Sequence, residues 1–165
     1  MEYLQVFDEF KNKLDEKINR ELKKILTGNK YFMIVLLFIE NDKKFLLQKT
    51  SVKRNSEIAT TGGHVTYGDD GYITVIKEAN EELGIILDKQ LLKLVDTITF
   101  NNCYVELYYT NQKVDINEIK IQEEEVDSVD WYSIDEINNL ILDNKFRKGN
   151  IKPFNKVLEY RKGVI

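Results

Sequence analysis

A dense apolar run covers residues 31–40 (YFMIVLLFIE) and is rich in aromatic and β-branched side chains. The run is too short to span a membrane, so its pattern predicts a buried strand from Tyr31 to Glu40. Polar residues 41–44 (NDKK) carry a turn signal, and Phe45 to Lys49 is expected to return as a second strand.

Later apolar runs predict three more strands and two helices. The expected strands are Leu91 to Phe100, Tyr104 to Thr110 and Val126 to Tyr132. The expected helices are one that opens at Ser133 or Asp135 and ends near Leu142, and one from Phe154 to Arg161 after Pro153. Together these elements predict an α/β fold in which helices pack against a mixed sheet.

The first 28 residues differ in character from the rest of the chain. Apolar residues recur there at steps of three and four among Lys and Glu, namely Leu4, Phe7, Phe10, Leu14, Ile18, Leu22 and Ile25. This spacing predicts an amphipathic helix that ends near Thr27-Gly28. Because acidic and basic residues are balanced along it, we expect the helix to pack on the core or on a second subunit rather than on a membrane.

Length and composition predict one globular domain over residues 1–165, with 42% hydrophobic residues. Its expected parts are the N-terminal helix (1–28), a core (30–142) and a C-terminal helix (150–165). The net charge of −4 gives no extended basic surface for nucleic acid. A single cysteine excludes an internal disulfide and favours a reducing, cytoplasmic setting. No signal peptide or membrane span is expected.

Candidate chemistry lies in a glycine-rich loop that leads into a short acidic helix. Asp69 or Asp70 can cap the start of this helix, and Gly84 stands where a left-handed residue ends it. At about 100° per residue, three glutamates share one face and four apolar residues the other. The glutamates are Glu78, Glu81 and Glu82, and the apolar residues are Ile73, Ile76, Ala79 and Leu83. Like charges at this spacing repel one another, and a hard dication such as Mg²⁺ would relieve the repulsion.

The spacing from Gly63 to Ile85 resembles the Nudix box of magnesium-dependent hydrolases that cut diphosphate linkages. The box reads Gly, five residues, an acidic residue, seven residues, then KEANEELGI. Two identities depart from the family pattern, since Asp69 replaces Glu and Lys77 replaces Arg. The resemblance spans about Lys30 to Leu142 and implies an α/β/α sandwich with a mixed sheet.

The same resemblance implies a set of site residues. It assigns Mg²⁺, with Mn²⁺ as an alternative, to Glu78, Glu81, Glu82 and the carbonyl of Gly62. In the family, the Arg at the position of Lys77 holds the neighbouring glutamate, and a Lys can attract it only as a point charge. A loop carboxylate often joins the site in such proteins, and the run Glu123-Glu124-Glu125 is similar to that pattern, with Glu123 or Glu125 as candidates.

Several other residues could bind substrate, and each also has an ordinary structural interpretation. His64 follows Gly63 and could touch a phosphate or could be a simple loop residue. Lys49, Lys53 and Arg54 precede the glycines and could meet substrate phosphates or could lie in a solvated turn. Gly63, Arg54 and Lys77 join His64 as the candidates for substrate binding.

The expected function is therefore Mg²⁺-dependent hydrolysis of a small nucleoside diphosphate derivative by water attack on phosphorus. Metal, Glu78 and a loop carboxylate such as Glu125 would share the chemistry. One alternative is an enzyme like isopentenyl diphosphate isomerase, which shares the fold by resemblance but uses a cysteine where residues 60–63 (TTGG) offer none. Another is a catalytically weak nucleotide-binding regulatory module. The identity of the substrate stays open, and a homodimer through the first helix or a sheet edge is compatible with the pattern.

Overall fold

Within residues 1–22 and 26–163, which the computed structural model describes, seven strands form one mixed sheet and two form a separate hairpin. The hairpin comprises β1 (Tyr3–Phe7) and β2 (Lys13–Asn19). The sheet strands are β3 (Phe32–Asn41), β4 (Lys44–Thr50), β5 (Ile58–Ala59), β6 (Thr61–His64), β7 (Lys93–Phe100), β8 (Cys103–Thr110) and β9 (Val126–Ser133). The helices are α1 (Gly71–Leu83), α2 (Ile134–Leu142) and α3 (Ile151–Arg161).

Strand β3 organises the sheet because it has neighbours on both sides. It pairs in parallel with β8 along eight residues and antiparallel with β6 through Ile34 to Leu37. Its last residues, Glu40 and Asn41, pair antiparallel with β4. Strand β4 in turn pairs with β5 and β9, and β7 pairs with β8. The mixed sheet and the predicted strands are therefore confirmed, with ends that differ by one or two residues.

Alternate residues of β3 face two hydrophobic layers. Val35 and Leu37 join the layer that packs against α1, whereas Leu36 and Phe38 join the layer that packs against α2 and α3. Phe154 of α3 meets Phe38 in the second layer, with ring centroids 6.3 Å apart. This arrangement is the expected α/β/α sandwich. No described helix has the combination of length and apolar content that crossing a membrane requires.

The prediction of an N-terminal amphipathic helix is wrong, because residues 3–19 form the β1–β2 hairpin. Asp8 shapes its turn by accepting backbone hydrogen bonds from Phe10 and Asn12, both at 2.8 Å. Phe7 is 2% exposed, whereas Phe10, which belonged to the same predicted helix face, is 74% exposed. Residues 23–25 of the predicted helix lie outside the described part, and the proposed dimer contact through such a helix loses its basis.

The segment forms a hairpin and not a helix because backbone groups of β1 make hydrogen bonds with distant parts of the chain. Phe7 and Tyr31 exchange two backbone hydrogen bonds of 2.9 Å, and the amide of Gln5 donates to the carbonyl of Val65 at 3.0 Å. Apolar spacing along β1 and β2 fits either structure, so these long-range hydrogen bonds and the burial of Leu4 and Phe7 decide the outcome.

The helix ends follow local rules. The side chain of Asp70 caps α1 by accepting from the amide of Ile73, and Gly84 ends the helix with φ of 66°. Ser133 caps α2 in a capping box with Glu136.

Two predictions about the helices are wrong. Helix α3 begins at Ile151, before Pro153, since the first turn of a helix tolerates proline. Ile73 is 41% exposed, so the buried stripe of α1 runs instead through Thr74, Val75, Ala79 and Leu83.

Candidate metal and phosphate site

The two glycines of β6 allow the strand to pass close to its neighbours. A Cβ atom on Gly62 would overlap the backbone carbonyl of Val35 in β3, and one on Gly63 would overlap the carboxylate of Glu78 in α1. Close approach to backbone therefore requires glycine at position 62, whereas a side chain at position 63 would force the flexible carboxylate of Glu78 to move. The consequence is that the carboxylate of Glu78 lies directly against the β6 backbone.

The acidic face of α1 is turned partly into the protein. Glu82 is only 2% exposed, Glu78 is half-buried and Glu81 is exposed. The amide of Gln48 in β4 donates to Oε2 of Glu82 at 3.1 Å, and the hydroxyl of Thr61 donates to Oε1 of Gln48 at 2.9 Å. This chain of hydrogen bonds fixes the orientation of the buried carboxylate.

Burial makes two of these carboxyls hard to ionise. It is the largest cause that raises the pKa of Glu78 from 4.5 to about 8, followed by the negative charges of Glu82, Glu81 and Glu125. Burial likewise raises the pKa of Glu82 from 4.5 to about 7, against the opposing effect of its hydrogen bond from Gln48. A cation at this position would oppose both effects.

A cleft of about 140 Å³ opens beside these carboxylates. Its walls are Glu2, Arg20, Arg54, Gly62, Gly63, Glu78, Glu81, Gln122 and Glu125. Each arginine is paired with a glutamate, since Arg54 lies 2.8 Å from Glu125 and Arg20 lies 2.6 Å from Glu2. The cleft thus offers carboxylate and carbonyl oxygens beside two guanidinium groups.

These donors suit a hard divalent cation. Their oxygen atoms are the ligands that Mg²⁺ takes in proteins, usually with one or two carboxylates and several waters. Among residues 1–22 and 26–163, no three acidic, histidine or cysteine side chains form a compact ligand cluster. The carboxylate and carbonyl oxygens around the cleft nevertheless fit Mg²⁺, which would take its remaining ligands from substrate and water.

The structure gathers most of the sequence-derived candidates around the cleft, namely Arg54, Gly62, Gly63, Glu78, Glu81 and Glu125. Glu82 lies behind them on Gln48. Two candidates are placed elsewhere, because His64 ends β6 opposite Ile34 and Lys77 pairs with Asp69 at 2.7 Å. Lys77 therefore contacts the loop carboxylate and not Glu78.

Four residues near the site were not foreseen. Gln48 could have been found, since it is a polar residue that directly follows three apolar residues of a strand. Glu2 and Arg20 gave no local signal because their segment was interpreted as a helix. Gln122 precedes the acidic run and carries no distinctive pattern.

A wider depression of about 450 Å³ lies near Glu40, Tyr109 and Arg161. Its charged groups already satisfy one another, because Arg161 binds Glu40 at 2.8 Å and the hydroxyl of Tyr109 donates to the same carboxylate at 3.0 Å. Size alone therefore does not make it the better candidate site.

A family model and several solved structures match this chain. The family model described as NUDIX domain matches residues 30–154. No match was found among curated protein sequences. Among solved structures, DR0079 from Deinococcus radiodurans is 16% identical over 91% of this chain and 94% of its own, with a TM-score of 0.73.

Two further structures show the same fold. A NUDIX hydrolase from Nitrosomonas europaea is 20% identical over 81% of this chain and 90% of its own, with a TM-score of 0.60. The Ap4A hydrolase of C. elegans is 18% identical over 80% of this chain and 98% of its own, with a TM-score of 0.57.

The match of this family model to residues 30–154 defines a hydrolase of the class that cleaves diphosphate linkages. The chain belongs to the Nudix family, whose members are generally Mg²⁺-dependent pyrophosphohydrolases.

Proposed function

We propose that this protein hydrolyses the diphosphate linkage of a small nucleoside diphosphate derivative, with Mg²⁺ as its metal, in a reducing cytoplasmic setting. The observation that carries the proposal is the close packing of Gly63 against Glu78 beside Glu81, Arg54 and Glu125 in one cleft. It brings oxygen donors for a metal and a cation for phosphate to the same place. Phosphoryl transfer requires mainly such positioning and charge neutralisation.

In this proposal, Glu81, Glu82 and the carbonyl of Gly62 hold the metal. Bound there, Mg²⁺ would polarise the phosphoryl oxygens and neutralise charge on the leaving oxygen. Gln48 keeps the buried carboxylate of Glu82 oriented through its 3.1 Å hydrogen bond. Arg54, which in the described structure is paired with Glu125, supplies a planar fork of donors for phosphate oxygens.

The attacking water needs a group that orients it and accepts its proton. Glu78 and Glu125 are the two candidates, because both line the cleft and both carry carboxylate acceptors. Separate Glu78→Gln and Glu125→Gln variants assign the role, since loss of the base lowers kcat by about 10²- to 10⁴-fold.

The substrate is one of several compounds that share a diphosphate group. Nucleoside triphosphates, dinucleoside polyphosphates, nucleotide sugars, dinucleotide cofactors and capped RNA ends form the test panel. The name of the C. elegans Ap4A hydrolase makes dinucleoside polyphosphates a sensible first choice. Each compound is incubated with Mg²⁺ or Mn²⁺, and products are separated by chromatography.

Glu82→Gln is the decisive variant. It should abolish metal-dependent product release while the protein stays folded, because the amide keeps the shape of the side chain and removes its charge. Glu159→Gln on α3 is a matched control, since Glu159 has only a 3.9 Å contact with Lys156 and lies outside the cleft. Full turnover by the Glu82→Gln variant would contradict the proposal.

Isomerisation of isopentenyl diphosphate finds no support among the described residues. Residues 60–63 hold no thiol, and Cys103 lies in β8 opposite Phe32, where burial raises the pKa of its thiol to about 11. A regulatory module without activity is tested by the same panel. Thermal stabilisation by a nucleotide without any product would favour that alternative.

A further inference from the structure

The N-terminal hairpin lies outside the matched NUDIX domain and is nevertheless attached to the loop that precedes α1. The amide of Tyr67 donates to the carbonyl of Tyr3 at 2.9 Å, and the amide of Gly68 donates to Oε1 of Gln5 at 3.0 Å. Gln5 itself is 2% exposed. These contacts give the hairpin a fixed position relative to the cleft.

The end of the hairpin opposite its turn places the guanidinium group of Arg20 at the cleft. The amide of Arg20 donates to the carbonyl of Glu2 at 3.0 Å, and Nη1 of Arg20 lies 2.6 Å from Oε2 of Glu2. Both residues line the cleft together with Gly63 and Glu78. Arg20 is also close enough to Glu78 to lower the pKa of that carboxyl, against the larger effects of burial and neighbouring glutamates.

Arg20 and Arg54 form similar ion pairs at the cleft. Each guanidinium faces the cleft and holds a single partly exposed carboxylate, Glu2 in one case and Glu125 in the other. Ion pairs of this exposure are weak, so an incoming group with more negative charge can displace the carboxylate. A phosphate also matches the planar fork of arginine with two parallel hydrogen bonds.

We propose that Arg20 is a substrate-binding residue, which exchanges Glu2 for phosphate oxygens of the diphosphate and so makes the N-terminal hairpin one wall of the active site. This inference rests on the proposed function, because it assumes that a diphosphate occupies the cleft. Glu2 competes with phosphate for Arg20 and keeps the guanidinium in place while no substrate is bound.

A purely structural role for the ion pair makes a different prediction. If Arg20 and Glu2 only joined the ends of the hairpin, removal of either side chain would have the same small effect on stability and none on KM. If Arg20 binds phosphate, the two removals act in opposite directions. Loss of Arg20 weakens substrate binding, whereas loss of the charge on Glu2 frees Arg20 and strengthens it.

Steady-state kinetics at saturating Mg²⁺ separate these cases, with the compound of the panel that is hydrolysed best. Arg20→Ala is expected to raise KM by about 10- to 100-fold, the usual range for a hydrogen bond to a charged group, with Arg20→Lys intermediate. Glu2→Gln is expected to lower KM by a few-fold. Equal effects of Arg20→Ala and Glu2→Gln, or an unchanged KM in Arg20→Ala, would overturn the inference.

Arg147→Ala is a matched control. The Arg147 side chain is 32% exposed and pairs with Glu57 at 2.9 Å, and the Arg20 side chain is also 32% exposed. Arg147 lies outside the cleft, so its removal should leave KM unchanged. Thermal unfolding of all variants shows whether a change in KM accompanies a change in folding.

Binding of inorganic pyrophosphate with Mg²⁺, followed by calorimetry, keeps the inference testable if the wild-type protein hydrolyses nothing. Weaker binding by Arg20→Ala and not by Arg147→Ala would then support the role of Arg20 although the proposed hydrolysis has failed. Equal binding by both variants would refute the role of Arg20 by itself.

Discussion

Removal of divalent metal should make the stability of this protein fall as the pH rises from 5 to 8. The reason is the pair of buried carboxyls on α1, since burial raises the pKa of Glu82 to about 7 and that of Glu78 to about 8, both from 4.5. A carboxyl with a raised pKa keeps its proton in the folded state at a pH where the unfolded chain has lost it. The contribution of these two carboxyls to stability is therefore fully present below about pH 4.5 and is lost progressively up to about pH 8.

The magnitude follows from proton linkage at about 1.4 kcal/mol per pH unit. The interval from 4.5 to about 7 gives about 3 kcal/mol for Glu82, and the interval to about 8 gives about 5 kcal/mol for Glu78. Repulsion between the two carboxylates contributes to the value for Glu78, so the joint effect is smaller than the two values taken together. A loss of about 5 kcal/mol corresponds to a fall in Tm of roughly 10–20 °C for a chain of this length.

The assay is thermal and urea unfolding at pH 5, 6, 7 and 8 in the presence of a chelator, repeated with Mg²⁺ or Mn²⁺. Metal at 100 times its Kd should restore about 2.7 kcal/mol at pH 8 and much less at pH 5, where the carboxyls hold protons. Carboxyls with a lowered pKa, such as Asp69, act only below about pH 4 and leave this range undisturbed.

Glu82→Gln should flatten the pH dependence, because it removes one buried charge and relieves Glu78 of its repulsion. Glu159→Gln, on the surface of α3, should retain the wild-type profile. A metal-free wild-type protein that is as stable at pH 8 as at pH 5 would refute the reasoning, and so would an unchanged slope in Glu82→Gln.

Two further predictions concern Gly63 in β6 and the hairpin. Gly63→Ala should lower turnover at least about tenfold with little loss of stability, because its Cβ displaces the flexible carboxylate of Glu78 and misplaces a catalytic group. Gly149→Ala, where a Cβ meets no atom within 4 Å, is the control for the kinetic assay. Phe7→Ala should cost about 3–5 kcal/mol of stability in urea unfolding, whereas Phe10→Ala should change it by less than about 0.5 kcal/mol. Similar losses from both phenylalanines would favour the helix over the hairpin.

Much of the site followed from local sequence because its parts are close together along the chain. The helix begins after Asp70 and ends at Gly84, as capping chemistry predicts, and the spacing of three and four residues places Glu78 and Glu82 on neighbouring positions of one face. The sequence pattern also marked Gly63 as part of the site. The reason for a glycine there, its close approach to Glu78, is a tertiary contact.

Other features depend on contacts that a local pattern cannot contain. The buried carboxylate of Glu82 accepts its hydrogen bond from Gln48 on β4, thirty-four residues away. The first segment has apolar residues spaced for a helix, yet backbone partners at Tyr31 and Val65 make a hairpin the more stable choice. Arg20 entered the site only because of that change, so an error in secondary structure also concealed a candidate binding residue.

The two residues that depart from the Nudix pattern, Asp69 and Lys77, contact each other in this protein. Nζ of Lys77 lies 2.7 Å from Oδ2 of Asp69, and the same oxygen accepts from the hydroxyl of Thr66 at 3.0 Å. This contact ties the loop before α1 to the helix. The position of Glu78 is fixed separately, by its packing against Gly63 and by its burial, so the exchange of Arg for Lys changes how the loop is held and leaves the carboxylates in place. For that physical reason the substitutions bear on the rate of the proposed reaction and not on its class.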